Sequence, residues 1–373
     1  MNIFPVKKIL TTAFQALIFL LLLSACEPLA TSFEDVETAG IYTSDQIKAA
    51  PVVDSSILVM TWNIRFGIGR SPWFGDACSD ITVYSKADVM VHLDSIVGQI
   101  NLVKPDILML QECDVESNRT GYINELQYIL DHTYFNYAAY VPEWKSEFIP
   151  SDGLGRMNMG CVLLSCWPIR DAKRINLATR GDQSGIVNYF YLHSCIVTGT
   201  IGIPGFKEFS VLNMHASAFA TDDTKHKHFV EFKDELDKID AAGGYFLAGG
   251  DFNTLPPETD STDFRLQDKC RWESFHQPGD DPQHKAGSNY TPEQQWLLPV
   301  YGAYKCAVPL EEYHQDPLHH FTHTTRPTHF WDRTLDYLFT NYRWVAHSDV
   351  THQDAITLSD HASVSARLVL RKE

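Results

Sequence analysis

Residues 245–253 read Tyr245-Phe246-Leu247-Ala248-Gly249-Gly250-Asp251-Phe252-Asn253. A short apolar run, of a length suited to a buried strand, ends in two glycines and then presents a carboxylate and a carboxamide. Taken alone, Gly-Gly-Asp is ordinary turn chemistry. Glycines also let a backbone turn sharply and let a phosphate approach it closely. The stretch gains meaning because the same arrangement recurs along the chain. Thr61-Trp62-Asn63 closes the run that begins at Ile57, and Gln111-Glu112 follows Ile107–Leu110. Asn213-Met214-His215 ends the run from Phe209, Leu335-Asp336-Tyr337 lies on another apolar segment, and Ser359-Asp360-His361 precedes a last one near Val364–Leu370.

Helical patterns separate these runs. Val89, Leu93, Ile96, Val97 and Ile100 fall at helical spacing, and Lys104-Pro105 ends that helix. A second helix is expected around Tyr122–Leu130. A third carries Phe229, Phe232, Leu236 and Ile239 and stops at Gly243-Gly244. Cys161–Leu164 and Tyr189–Val197 read as strands. Residues 254–333 are rich in Pro, His, Asp and aromatic residues without a long periodic run, so they read as an irregular insertion. The alternation implies an α/β protein in which helices cover a sheet structure, with two packed sheets of mixed strand order compatible with it.

With 373 residues, the chain can form one large domain or two ordinary ones. Its net charge of -17 argues against passive affinity for nucleic acid or anionic lipid. It does not exclude a nuclease, because a divalent metal can bring positive charge to a phosphate. At the N-terminus, Lys7 and Lys8 precede an apolar run through Leu20–Leu23, and Leu23-Ser24-Ala25-Cys26 follows. This resembles a bacterial lipobox, which implies removal of residues 1–25 as a signal peptide and lipid attachment at Cys26. The expectation is an extracytoplasmic protein anchored to a bacterial membrane. Residues 26–55 read as a tether and 56–372 as the folded domain. Cys113, Cys161, Cys166 and Cys195 read as buried thiols. Cys78, Cys270 and Cys306 lie in loop-like sequence, and their spacing specifies no bridge.

The clustered residue types suit metal and phosphate chemistry. Carboxylates at strand ends are a usual way to hold Mg²⁺, a hard ion that takes oxygen ligands. Asn63 and Asn253 offer neutral carbonyl oxygens and amide donors. His215 and His361 are candidate phosphate ligands or acid/base groups, and a carboxylate such as Asp336 would fix a histidine's tautomer and favour its charged form.

Together the clusters resemble the endonuclease/exonuclease/phosphatase superfamily, which includes exonuclease III-like enzymes, pancreatic deoxyribonuclease, neutral sphingomyelinases and inositol polyphosphate 5-phosphatases. The resemblance covers about residues 57–370. Thr61-Trp62-Asn63-Ile64, Leu110-Gln111-Glu112, Met159–Ser165, Gly250-Asp251-Phe252-Asn253, Leu335-Asp336-Tyr337 and Ser359-Asp360-His361 occur in the family's order. It implies a four-layer α/β sandwich (DNase I-like): two mixed, mostly antiparallel β-sheets packed face to face with helices outside. It also implies that Asn63, Glu112 and Asp360 surround Mg²⁺ or Mn²⁺. Asp251 with Asn253 would activate the attacking water or help hold a second metal. His361, paired with Asp336, would contact the scissile phosphate, and His215 would bind another phosphate oxygen or protonate the leaving group. A histidine at 215 is similar to the deoxyribonuclease, sphingomyelinase and 5-phosphatase branches. One departure is that Gly185–Tyr191, read as a strand, lacks the arginine often found near its start in relatives, although Arg180 is nearby.

The implied activity is metal-dependent hydrolysis of a phosphodiester or phosphomonoester by a monomeric enzyme. The substrate would be a nucleic acid, a phospholipid head group or a small phosphodiester. A sphingomyelinase- or inositol-phosphatase-like lipid hydrolase is the alternative within the fold, and a noncatalytic binding lipoprotein is the alternative outside catalysis. The stretch with His314, His319, His320, His323 and His329 contains no recognised zinc-ligand pattern and reads as a structural or substrate loop.

Overall fold

The computed structural model describes residues 29–373 apart from 76–78, 219, 221, 260–292, 294 and 325–327. The signal-like segment, Cys26, Cys78, Cys270 and most of the expected insertion lie outside the described residues. The described residues fold into two seven-stranded sheets. The first has the order β13 (Val350–Thr351), β14 (Val364–Val369), β3 (Ser56–Asn63), β4 (Ile107–Asp114), β6 (Gly155–Ser165), β5 (Tyr137–Ile149) and β2 (Gly40–Thr43). The second has the order β1 (Val36–Thr38), β7 (Ile169–Asn176), β8 (Cys195–Ile201), β9 (Phe209–His215), β10 (Phe246–Asp251), β12 (Asp336–Thr340) and β11 (Lys305–Cys306).

Each sheet contains one parallel pair, β3 with β4 and β9 with β10, among antiparallel neighbours. A parallel pair needs a crossover. In the first sheet that crossover carries helix α1 (Lys86–Val103). The Ser85 side chain caps it by accepting the Asp88 N–H, and Lys104 ends it in a left-handed conformation before Pro105. The predicted stripe Val89, Leu93, Ile96, Val97 and Ile100 is its buried face. Next come α2 (Glu125–His132) and α3 (Gly185–Phe190). The second crossover carries α4 (Thr224–Ala241), which buries Phe229, Phe232 and Leu236 against Phe246 and Phe339 of the second sheet. Burial of such side chains contributes about 1.5–3 kcal/mol each. One apolar core joins the inner strands of both sheets with α1 and α2, and a second lies between the second sheet and α4. This is the four-layer sandwich expected from the sequence.

Three local expectations are corrected. The segment read as a tether enters the fold, because Val36–Thr38 pairs with β7 and Gly40–Thr43 pairs with β5, adding an edge strand to each sheet. The strand expected over Tyr189–Val197 begins only at Cys195; the β-branched and aromatic residues before it form α3, started by Ser184, whose side chain accepts the Val187 N–H. The insertion regains regular structure at α5 (Leu298–Ala303), β11 and α6 (Leu310–Gln315). Cys113, Cys161, Cys166 and Cys195 are buried free thiols, as expected, and Cys306 is another.

Candidate active site

Strand register assembles the polar clusters. Along β10, Asp251 lies opposite His215 of β9 on one side and Asp336 of β12 on the other. In the facing sheet, Asn63 lies opposite Gln111. The chain ends of both parallel pairs therefore meet at one rim of the sandwich, where ligands commonly bind in parallel α/β sheets. The Ser359-Asp360-His361 tripeptide is fastened to the same rim: Ser359 Oγ donates to Asn63 O at 2.8 Å, and Trp62 Nε1 donates to His361 O at 2.9 Å.

Backbone irregularities aim the side chains. Leu110 pairs with Val162 but Cys113 pairs with Gly160, so two residues of β4 oppose one of β6. Glu112 sits in this bulge with φ of 56°, and its side chain is turned to the partly open rim. Gly250 has φ of 134°, and a Cβ there would stand 1.9 Å from Met214 O. A Cβ on Gly249 would stand 2.3 Å from Tyr337 O. The two glycines thus let β10 fit between β9 and β12, a strand-packing role in place of the turn and phosphate approach read from sequence.

A buried carboxamide network joins the sheets beneath the rim. Gln111 Nε2 donates to Asn213 Oδ1 at 2.6 Å and Thr61 Oγ1 at 3.1 Å. Asn213 Nδ2, from the second sheet, donates to Leu110 O at 2.8 Å and Val162 O at 3.0 Å in the first.

Above it, charges alternate. Asp251 Oδ2 accepts from Asn63 Nδ2 at 3.0 Å and lies 3.5 Å from Nε2 of both His215 and His361. Its Oδ1 accepts the Asn253 N–H at 2.9 Å. Each histidine has a buried carboxylate behind it: Glu143 Oε2 lies 3.1 Å from His215 Nδ1, and Asp336 Oδ2 lies 2.8 Å from His361 Nδ1. Burial lowers the pKa of His215, but Glu143, Asp251 and Glu112 outweigh it and raise the value to about 10. Burial likewise opposes the charge on His361, and Asp336 with Asp251 and Asp360 raises it to about 10. Both rings are imidazolium at neutral pH and present Nε2–H toward Asp251. Burial pushes Asp336 up to about 6 against the pull of His361.

All the predicted site residues reach this rim, but two are turned away from their expected tasks. Asn63 Oδ1 accepts the Arg65 N–H at 3.0 Å, so its amide nitrogen faces Glu112, at 3.1 Å, and Asp251. It orients two carboxylates and does not offer its oxygen. The Asn253 side chain donates to Ala216 O at 3.0 Å, so it fixes the loop that carries its N–H to Asp251. Asp360 is paired with the buried Arg65, Nε to Oδ2 3.2 Å. Arg180 forms a two-pronged pair with Asp182 and lies 5.7 Å from the Tyr191 ring centroid.

Three further residues complete the site. Glu143 is fully buried on β5, and its signal was a carboxylate embedded in the apolar run Ala138–Trp144. Arg65 follows Asn63 by two positions. The His323 ring lies 4.4 Å from the His361 ring, tilted by 48°, and burial, then the His361 charge, hold its pKa well below the ordinary value, so it is neutral. Of the histidine-rich stretch, it is the member that reaches this site.

The donor set fits a hard divalent cation. Glu112, Glu143, Asp251, Asp336 and Asp360 face two imidazolium rings and the Arg65 guanidinium, which leaves an excess of negative charge. Behind the rings, Asp336 also accepts from the Thr322 side chain and Glu143 from the Cys161 thiol. Asp251 and Asp336 bring carboxylate oxygens within 4.8 Å of one another, and Asp360 and the neutral His323 bring ligand atoms equally close. Oxygen donors predominate, as Mg²⁺ and Mn²⁺ prefer.

A two-sheet sandwich with carboxylates and paired histidines at its rim offers the groups that phosphoester chemistry needs. The chain belongs to the Endonuclease/Exonuclease/phosphatase family, whose model matches residues 60–361. Members of that family hydrolyse phosphoesters and typically use divalent metals. Among solved structures, the chain is similar to an endonuclease/exonuclease/phosphatase from Beutenbergia cavernae DSM 12333, with 17% identity, TM-score 0.56, and 85% of this chain and 72% of that one covered. It is also similar to an endonuclease/exonuclease/phosphatase family protein from Bacteroides thetaiotaomicron, with 14% identity, TM-score 0.50, and 86% and 100% covered. No match was found among curated proteins.

Proposed function

We propose that the protein is a divalent-metal-dependent phosphoesterase that hydrolyses a phosphodiester or phosphomonoester by in-line attack of water. The observation that carries this reading is the convergence of His215 Nε2 and His361 Nε2 on the same oxygen of Asp251, 3.5 Å from each. A phosphate bound at that point would meet charged N–H donors from two sides, and donors fixed in advance cost little reorganisation as charge develops. Asp251, oriented by the Asn253 N–H and Asn63, would take the proton of the attacking water. His361, held by Asp336, would neutralise the scissile phosphate. His215, held by Glu143, would give its proton to the leaving oxygen and recover it from Asp251, through water, after each turnover. Glu112 and Asp360 would hold Mg²⁺ or Mn²⁺, which would supply positive charge to the nonbridging oxygens. The lipobox-like Leu23–Cys26 supports an extracytoplasmic, membrane-anchored location.

The test is hydrolysis of p-nitrophenyl phosphate, bis-p-nitrophenyl phosphate, plasmid DNA and phospholipid vesicles by the purified chain. Activity should vanish with EDTA and return with Mg²⁺ or Mn²⁺. Equal hydrolysis in EDTA and Mg²⁺ would reject the reading.

A further inference from the structure

Helix α3 buries none of its residues. It exposes 72% of Ile186, 44% of Val187 and 43% of Tyr189. Phe190 packs on the main core, but the apolar face left open to water is costly and calls for an occupant. Two observations place it. First, it borders the candidate active site. Trp144 Nε1 donates to Phe190 O at 2.6 Å, the Tyr191 ring packs 5.9 Å from Trp144, and the His193 N–H donates to the carbonyl of Glu143, the residue behind His215. Tyr191 also feels the charge of Glu112.

Second, α3 borders the point where the described chain begins. The Ala30 N–H donates to Tyr189 Oη at 3.3 Å, and Leu29 O accepts from the Glu147 N–H and Ser146 Oγ. Leu29 and Phe148 extend the apolar surface, at 45% and 53% exposed. Cys26 lies three residues before Leu29, so acyl chains on it would start within about 10 Å of this patch. Two of the nearby charges are neutralised in pairs, Glu147 with Arg156 at 3.7 Å and Arg180 with Asp182.

We propose that Leu29, Phe148, Ile186, Val187 and Tyr189 form a membrane-contact surface that acts with a lipid on Cys26. It seats the protein on a phospholipid bilayer with the active-site rim beside the membrane, so the substrate is a phosphoester carried at the lipid surface. The contact is apolar and covalent in origin, which suits a chain of net charge -17 that anionic lipid would repel. The substrate part rests on the phosphoesterase reading; the seating of α3 does not.

The two parts are tested separately. The full chain, extracted from bacterial membranes, is reconstituted in phosphatidylcholine vesicles with an environment-sensitive nitrobenzoxadiazole label at Ile186→Cys, in a background carrying Cys78→Ser and Cys270→Ser. The same label at Val91→Cys, an exposed position on α1, is the control. The emission at 186 should shift to the blue and rise at least twofold, while that at 91 stays water-like. Recovery of the chain in the soluble fraction, or water-like emission at 186, overturns the membrane surface. Activity is then compared for Ile186→Asp/Val187→Asp and the unaltered chain. Hydrolysis of phospholipid in vesicles should fall at least tenfold, with bis-p-nitrophenyl phosphate unaffected. Equal rates on vesicles overturn the substrate assignment. A lipid-embedded label with no hydrolysis of any phosphoester would leave the surface standing and reject the enzyme reading.

Discussion

Glu143→Gln isolates the charge behind His215. The substitution keeps the side chain's shape and removes its negative charge, 3.1 Å from Nδ1. At that separation and an effective dielectric of about 20, a carboxylate and an imidazolium attract by about 5 kcal/mol. One pH unit corresponds to about 1.4 kcal/mol, so the midpoint of His215 should fall by 3–4 units, from about 10 to about 6–7. Asp251 and Glu112 remain at 3.5 and 3.8 Å, while burial continues to oppose the charge. The assay is NMR titration of histidine Cε1–H in the metal-free protein, with a His215→Gln variant to assign the signal. In parallel, kcat/KM with Mg²⁺ at pH 8.5 should fall about 10–100-fold, the usual cost of losing a partner that orients an active-site ligand. Protonated His215 at pH 8.5 in the variant would refute the electrostatic argument. A lowered midpoint with undiminished hydrolysis would refute the need for an imidazolium at 215.

Two further outcomes concern folding. His228 Nδ1 accepts the Ser217 N–H and Nε2 donates to Ala178 O, so only the neutral ring fits, and burial lowers its pKa to about 4. The folded value lies below the unfolded value of about 6.5, so the unfolded chain binds the proton first as pH falls. Its contribution is complete above pH 6.5 and is lost down to about pH 4, a change of about 3 kcal/mol. His228→Gln should flatten that part of a plot of urea midpoint against pH, and an unchanged slope would refute the assignment. Gly250→Ala should lower stability by about 3 kcal/mol or more, since it combines backbone strain with overpacking against Met214 O. A wild-type melting temperature would show that β10 does not need a glycine there.

The site was legible where chemistry ended an apolar run. Asn63, Glu112, His215 and Asp251 each terminate or follow such a run, and His361 precedes one; strand register and the Trp62 contact then bring them together. Glu143 offered one cue, a charge inside an apolar run, but nothing local names its partner, which is 72 positions away. Which end of Asn63 faces the carboxylates depends on the Arg65 N–H, a contact that no spacing reveals. Helix α1 could be read from its periodicity. Helix α3 could not, because its Ile-Val-Asn-Tyr-Phe composition favours a strand. What starts the helix is the Ser184 cap, and what leaves its apolar residues unburied is its place on the rim. The strands at 36–43 escaped notice because each is too short to show alternation and gains its partner only from a completed sheet.

In the proposed reaction Asp251, between two charged histidines, drives metal-dependent hydrolysis at phosphorus. The most direct measurement is kcat/KM for bis-p-nitrophenyl phosphate with saturating Mg²⁺ in the unaltered chain, Asp251→Asn and His361→Gln, with circular dichroism to confirm that each is folded. The expected result is a loss of about 10³-fold or more for Asp251→Asn and about 10²–10³-fold for His361→Gln. Folded variants that hydrolyse the diester at the unaltered rate would contradict the account.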